Sequence, residues 1–153
     1  MLFKWLTIFF LAASPISELR GAIPLGVIYY KFAPDWVFVV SVLGNILPIY
    51  FILTYLPLLE KWLRRHGLLV KLMDAIFKRT RHKFGPNYYR YGNLALCLFV
   101  AIPLPATGVW TGALAAWLFG IPKASAFFYM ALGALAAGFI VLAATLGVVN
   151  IKL

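Results

Sequence analysis

Ile-Pro-Leu-Pro-Ala-Thr-Gly-Val-Trp-Thr-Gly-Ala-Leu, residues 102–114, breaks an uncharged apolar stretch that runs from Tyr91 to Ile121. A proline within a helix removes a backbone donor and clashes with the turn before it. Pro103 and Pro105, with one residue between them, therefore argue against a continuous helix here. The arms on either side are about a dozen residues long, roughly half the depth of a ~30 Å hydrocarbon core at ~1.5 Å per residue. The spacing predicts a re-entrant hairpin that dips to mid-membrane and returns to the face it left.

The same shape occurs earlier in the chain. Residues 1–30 are apolar apart from Lys4 and a polar break at Ser14-Pro15-Ile16-Ser17-Glu18-Leu19-Arg20. Pro15 and Pro34 recur as Pro103 and Pro122 at an offset of 88, and Gly44 recurs as Gly133 at 89. Internal duplication in a membrane chain is the usual trace of a transporter built from two related halves around a central site. The expected fold is an all-α integral membrane protein of two inverted repeats, residues 1–59 and 91–151. Each repeat would be a hairpin (1–32, 91–120) followed by one transmembrane helix (36–59, 124–149), and residues 60–90 would connect them. In the competing layout each broken stretch is a kinked full span and the repeats are parallel. The two differ in which side the termini occupy relative to the connector.

Composition supports the membrane class. Hydrophobic residues make up 64% of the chain, charged residues 12%, and mean hydropathy is +0.94, far from the balance of a soluble domain. Met1 to Ala13 resembles a short signal peptide, but no small-x-small cleavage site follows it, so this segment is expected to belong to the mature repeat. Of the 14 Lys and Arg residues, nine lie between Lys61 and Arg90, which is why a net charge of +10 does not point to nucleic acid. Basic residues clustered between spans mark the cytoplasmic side and meet anionic lipid headgroups. Leu69, Leu72, Met73, Ile76 and Phe77 repeat at helical spacing opposite Lys71, Asp74 and Lys78, the pattern of an interfacial amphipathic helix. Gly85-Pro86-Asn87 would end it before the interfacial Tyr88, Tyr89 and Tyr91.

Glu18 and Arg20 are the ionisable residues expected deep in the membrane, where charges are costly and mark pairs, cavities or proton and substrate paths. Ser17 and Asn45 add polar groups from the first half, and Thr107, Trp110 and Thr111 add hydroxyl and indole donors from the second. Gly108 and Gly112 permit close backbone approach, while Pro15, Pro24, Pro103 and Pro105 shape the tips. A returning arm would start at mid-membrane with unpaired N–H groups, so two such ends beside Arg20 could cradle a phosphate or carboxylate. Glu18 could take up and release a proton. In the plainer reading Glu18 and Arg20 neutralise each other, the threonines cap broken helices and Trp110 packs. No enzyme is expected: His66 and His82 lie in the basic segment, Cys97 is alone, and Ser17 has no histidine placed for a triad. No metal and no cofactor is expected either.

Residues 14–26 (Ser-Pro-Ile-Ser-Glu-Leu-Arg-Gly-Ala-Ile-Pro-Leu-Gly), Gly44-Asn45 with Pro48, and residues 102–114 resemble the small multidrug export protein family over essentially the whole chain. That family is distantly similar to the DedA/VTT membrane proteins. Ala106 stands where the family is expected to have glycine. The resemblance implies a bacterial or archaeal inner-membrane protein with two facing re-entrant hairpins. It also implies a flippase moving a polyprenyl-phosphate carrier or phospholipid headgroup, coupled to protons. An exporter of lipophilic cations and a non-transporting protein that organises the bilayer are the other readings. One protomer has too few helices to cover two hairpins, and irregular backbone at membrane depth must be covered by protein or line a cavity, so a homodimer or higher oligomer is expected.

Overall fold

The computed structural model describes residues 1–65, 74, 88–104 and 107–151. Its helices are α1 (Leu2–Ala13), α2 (Glu18–Pro24), α3 (Pro34–Arg65), α4 (Tyr88–Ala101), α5 (Val109–Leu118) and α6 (Lys123–Ile151). Among the described residues there is no strand. Both proline breaks interrupt helix as expected: α1 stops before Pro15, and Pro103 lies between α4 and α5. Pro105 and most of the basic connector, including its amphipathic pattern, lie outside the described residues. Pro24 falls at the end of α2, where its missing N–H leaves the Arg20 carbonyl without a helical partner. The chain widens there into one π turn, Leu25–Tyr29.

Two helices are long and apolar enough to cross a membrane, α3 over Pro34–Trp62 and α6 over Lys123–Val149. Both extend beyond the apolar runs read from the sequence. α3 continues through Glu60 and Lys61 to Arg65, because a helix needs no apolar side chains once it reaches water or headgroups, where long basic side chains snorkel. Pro34 opens α3 and Pro122 directly precedes α6, the position where a fixed φ suits a helix start.

After its break, each half turns back on itself. Trp5 stacks on Phe32 with ring centroids 4.4 Å apart, and the Lys4 ammonium lies 5.1 Å from the Tyr30 ring centre. The end of the first broken stretch therefore lies beside its beginning. In the second, Gly92, Leu96, Phe119 and Ile121 line one apolar cleft between α4 and α5. Gly44 packs against the Phe9 carbonyl and Ala12, and Gly133 against the Cys97 carbonyl and Val100. The two contacts match at the repeat offset, since Phe9 and Cys97 are 88 apart, as are Ala12 and Val100. Gly133 and Gly138 are both used inside the protomer, Gly138 against Phe38 and Val42.

α3 and α6 run antiparallel. Phe38 meets Phe139 at one end, with ring centroids 4.6 Å apart. At the other end Lys123 Nζ lies 2.5 Å from Thr54 Oγ1 and 4.9 Å from the Tyr50 ring centre. The Trp117 indole donates to Glu60 at 3.1 Å, near the end of α3, whereas the first turned-back stretch closes beside the start of α3. The two stretches thus open at opposite ends of α3, and their broken tips meet between.

Candidate functional site

The tips meet through Glu18 and Trp110. Glu18 is 7% exposed, and among the described residues it is the one buried ionisable side chain. Its carboxylate lies against Gly108 and faces the backbone N–H groups of Val109 and Trp110, the first two residues of α5. These donors have no partner within their own helix, and the positive end of the helix dipole lies there. The Trp110 indole N–H donates in the opposite direction, to the Ala13 carbonyl at the end of α1, at 3.0 Å. One residue of the second half is thus tied to both sides of the first half's break.

Backbone conformation at both tips is unusual. Gly108 precedes α5 with φ 145°, which L side chains rarely adopt, and a Cβ there would collide with the Glu18 carboxylate. Glu18 itself has φ 49°, the left-handed region, uncommon outside glycine, asparagine and aspartate. The Glu18 N–H donates to the Ser14 carbonyl at 3.2 Å, which closes the turn over Pro15. Strained backbone of this kind gathers at functional sites.

The remaining candidates divide into two groups. Arg20 is half-buried and near enough for its charge to act on Glu18, yet it forms no hydrogen bond or ion pair with another described residue. Asn45 is 2% exposed on α3, with Oδ1 unpartnered. The others serve local structure. The Thr107 hydroxyl lies 2.6 Å from the Ile102 carbonyl and 2.8 Å from that of Leu104, and it accepts from the Leu104 N–H at 3.1 Å. Thr111 leans back on the Gly108 carbonyl at 3.4 Å. Ser17 Oγ lies over Gly21 one turn along its own helix, and Gly112 packs against Val100 and Met130.

The N-terminus of α5, expected to help cradle an anion, lies against the protein's own Glu18 carboxylate. Sequence reading also missed the Ala13 carbonyl and Ser41. The first is a backbone atom, with no identity to read. Ser41 is fully buried with an unpartnered Oγ, and its only trace in the sequence is a serine four residues before Asn45 in an otherwise apolar run.

Apolar spanning helices around two broken, abutting stretches define a helical membrane protein. The chain belongs to the small multi-drug export family: residues 18–140 match the family described as "Putative small multi-drug export protein". No curated protein and no solved structure matches the chain.

Proposed function

We propose that the protein is a proton-coupled membrane exporter in which Glu18 is the proton-carrying group and also the latch between two mid-membrane tips. The observation that carries this reading is the buried Glu18 carboxylate resting on the Val109 and Trp110 amides. Ionised, it complements the helix end with charge-assisted hydrogen bonds. Protonated, it loses that complementarity, the junction weakens, and the tips can part. Gain and loss of a proton would thus alternate closed and open states, and the family's description supplies export as the direction.

In this reading the turned-back stretches are re-entrant hairpins in an inverted repeat. Support comes from the Trp5–Phe32 stack, from the matching Gly44 and Gly133 contacts, and from hairpin mouths at opposite ends of α3. Residues 60–90 would face the cytoplasm, with both termini on the other side, and their basic charge would bind anionic lipid. Exposed apolar side chains such as Phe51, Tyr55, Leu58 and Trp62 leave room for a homo-oligomer. The chemistry is transport, with no enzyme activity, cofactor, metal or nucleic acid assigned.

A second reading is favoured by Arg20. A half-buried guanidinium with no hydrogen-bonded partner among the described residues could hold the phosphate of a lipid carrier or phospholipid, making the protein a flippase. The test is reconstitution into liposomes under an imposed pH gradient, with a fluorescent lipophilic cation in one set and a labelled polyprenyl phosphate in another. The exporter reading expects gradient-dependent cation movement that Glu18→Gln abolishes and Arg20→Ala retains. Lipid-phosphate movement lost in Arg20→Ala would replace it with the flippase reading. A protein inactive in both sets, with Glu18→Gln and Arg20→Ala without phenotype in cells at normal protein levels, would be an organiser of the bilayer.

A further inference from the structure

Three helical threonines share a habit that Ser41 does not follow. Thr7 donates to the Phe3 carbonyl at 2.9 Å, Thr54 to Tyr50 at 2.6 Å and Thr145 to Val141 at 2.7 Å, each four residues back in its own helix. Ser41 has the Val37 carbonyl in the same relation, yet its Oγ is fully buried with no partner. One turn further on, Asn45 Oδ1 is also buried and unpartnered. Buried polar atoms are almost always hydrogen-bonded to protein or to ordered water.

Val37, Ser41, Asn45 and Ile49 form a single covered stripe along α3, with two polar side chains between two apolar ones. By residue count along the two segments, the stripe comes level with Glu18. Gly26 lies against Val37, and the chain from Gly26 back to Glu18 runs alongside α3 in the opposite direction. Eight residues separate Gly26 from Glu18 (26 − 18), and eight separate Val37 from Asn45 (45 − 37). Gly44, next to Asn45, packs against the Phe9 carbonyl, and α6 contributes the small Ala134 and Ala137 to the buried interior.

We infer that Ser41 and Asn45 hold buried water that relays protons to the Glu18 carboxylate. This inference rests on the reading of Glu18 as the proton-carrying group. Water suits the site better than a metal cation, because the Glu18 oxygens already face the positive end of α5 and the charge of Arg20. Among the described residues Arg20 is the charged side chain near Glu18. Lys4, Lys31, Asp35, Glu60 and Lys123 stand at or beyond helix ends, and α5 carries no charged residue. In the relay a bound water gives a proton to a carboxylate oxygen and regains one from the next water outward, so no net atom is gained or lost except the proton on Glu18.

Infrared difference spectroscopy of the full chain in lipid nanodiscs tests this without a known substrate. Wild type should show a carboxyl band that appears on acidification and is absent in Glu18→Gln. After a switch to deuterated buffer, the Ser41→Ala/Asn45→Leu variant should exchange that carboxyl proton at least about tenfold more slowly, as expected when positioned proton-transfer partners are removed. Ser41→Ala alone deletes only an unpartnered oxygen, so it should fold as wild type does and slow exchange part of the way. Unchanged exchange in both variants would overturn the relay and leave the role of Glu18 standing. A spectrum with no acid-induced band that Glu18→Gln removes would overturn both.

Discussion

Trp110 and Glu18 hold the two broken tips together in both directions. The Trp110 backbone N–H faces the Glu18 carboxylate, and its indole N–H donates across the break to the Ala13 carbonyl at 3.0 Å. A side chain satisfies the helix start of one half, and a side chain from that start satisfies the helix end of the other. The junction is therefore reciprocal, and a single protonation can weaken half of it while the other half remains.

Trp110→Phe keeps the ring and removes the indole donor, leaving the half-buried end of α1 with one bond fewer. The expected cost is about 1 kcal/mol of stability, the usual net worth of such a bond. Glu18→Gln retains an oxygen acceptor without the charge and should cost about 1–2 kcal/mol. Because both changes act on one junction, the double variant should depart from additivity by about 0.5 kcal/mol or more. Thermal unfolding of the four proteins in one detergent checks this, and strict additivity would mean the two bonds act independently.

Gly108→Ala attacks the same junction through the backbone. Gly108 has φ 145°, and a methyl group there would occupy the space of the Glu18 carboxylate. The conformational strain alone is of order 1–3 kcal/mol, and displacing the carboxylate adds the loss of its electrostatic contact with the positive helix end. The variant should unfold at markedly lower temperature than Trp110→Phe. Equal midpoints would show that the tip relaxes around the methyl group.

The broken stretches and the two long helices were legible because their causes are local. Pro15 and Pro103 interrupt helix wherever they fall, and 24 uncharged residues from Trp36 to Leu59 can hardly avoid forming a span. Glu18, Asn45 and Trp110 were legible as candidates too, since polar groups in apolar runs stand out. Their pairing was not. Glu18 and Trp110 are 92 residues apart (110 − 18), and a carboxylate seated on a helix N-terminus leaves no periodic pattern. Glycine roles were equally hidden, because Gly133 against a carbonyl and Gly147 with nothing within 4 Å read alike in sequence.

That contrast is testable. An alanine at Gly133 would put its Cβ 2.6 Å from the Cys97 carbonyl oxygen, and one at Gly44 would collide with the Phe9 carbonyl. Each substitution must push apart a pair of packed helices, an overpacking penalty of about 1–3 kcal/mol. Gly147→Ala meets open space and should be neutral or stabilising by up to about 1 kcal/mol through helix propensity. Similar losses at Gly44 and Gly133 are expected, since the contacts match across the repeat. A large loss at only one of them would show that the halves are packed differently.

The last prediction concerns the residues that lead into α3 and α6. Gly120 has φ 69° and closes α5 with the Ile121 N–H on the Ala116 carbonyl at 2.9 Å and its own N–H on Trp117 at 3.0 Å. That is a Schellman closure, in which glycine takes the left-handed position at no steric cost. In the first half Lys31 occupies the matching place with φ 54°, after a π turn closed by Tyr30 N–H to Leu25 and Phe32 N–H to Gly26, both at 3.0 Å. A left-handed lysine is strained by roughly 1–2 kcal/mol, whereas glycine there would lose about 0.5–1 kcal/mol in chain entropy. Lys31→Gly should therefore stabilise the protein by about 0.5–1 kcal/mol, and Gly120→Ala should destabilise it by about 1 kcal/mol. Unfolding midpoints in detergent give the sign of each. A destabilised Lys31→Gly would mean that the exposed lysine contributes more through its charge at the membrane surface than its backbone costs.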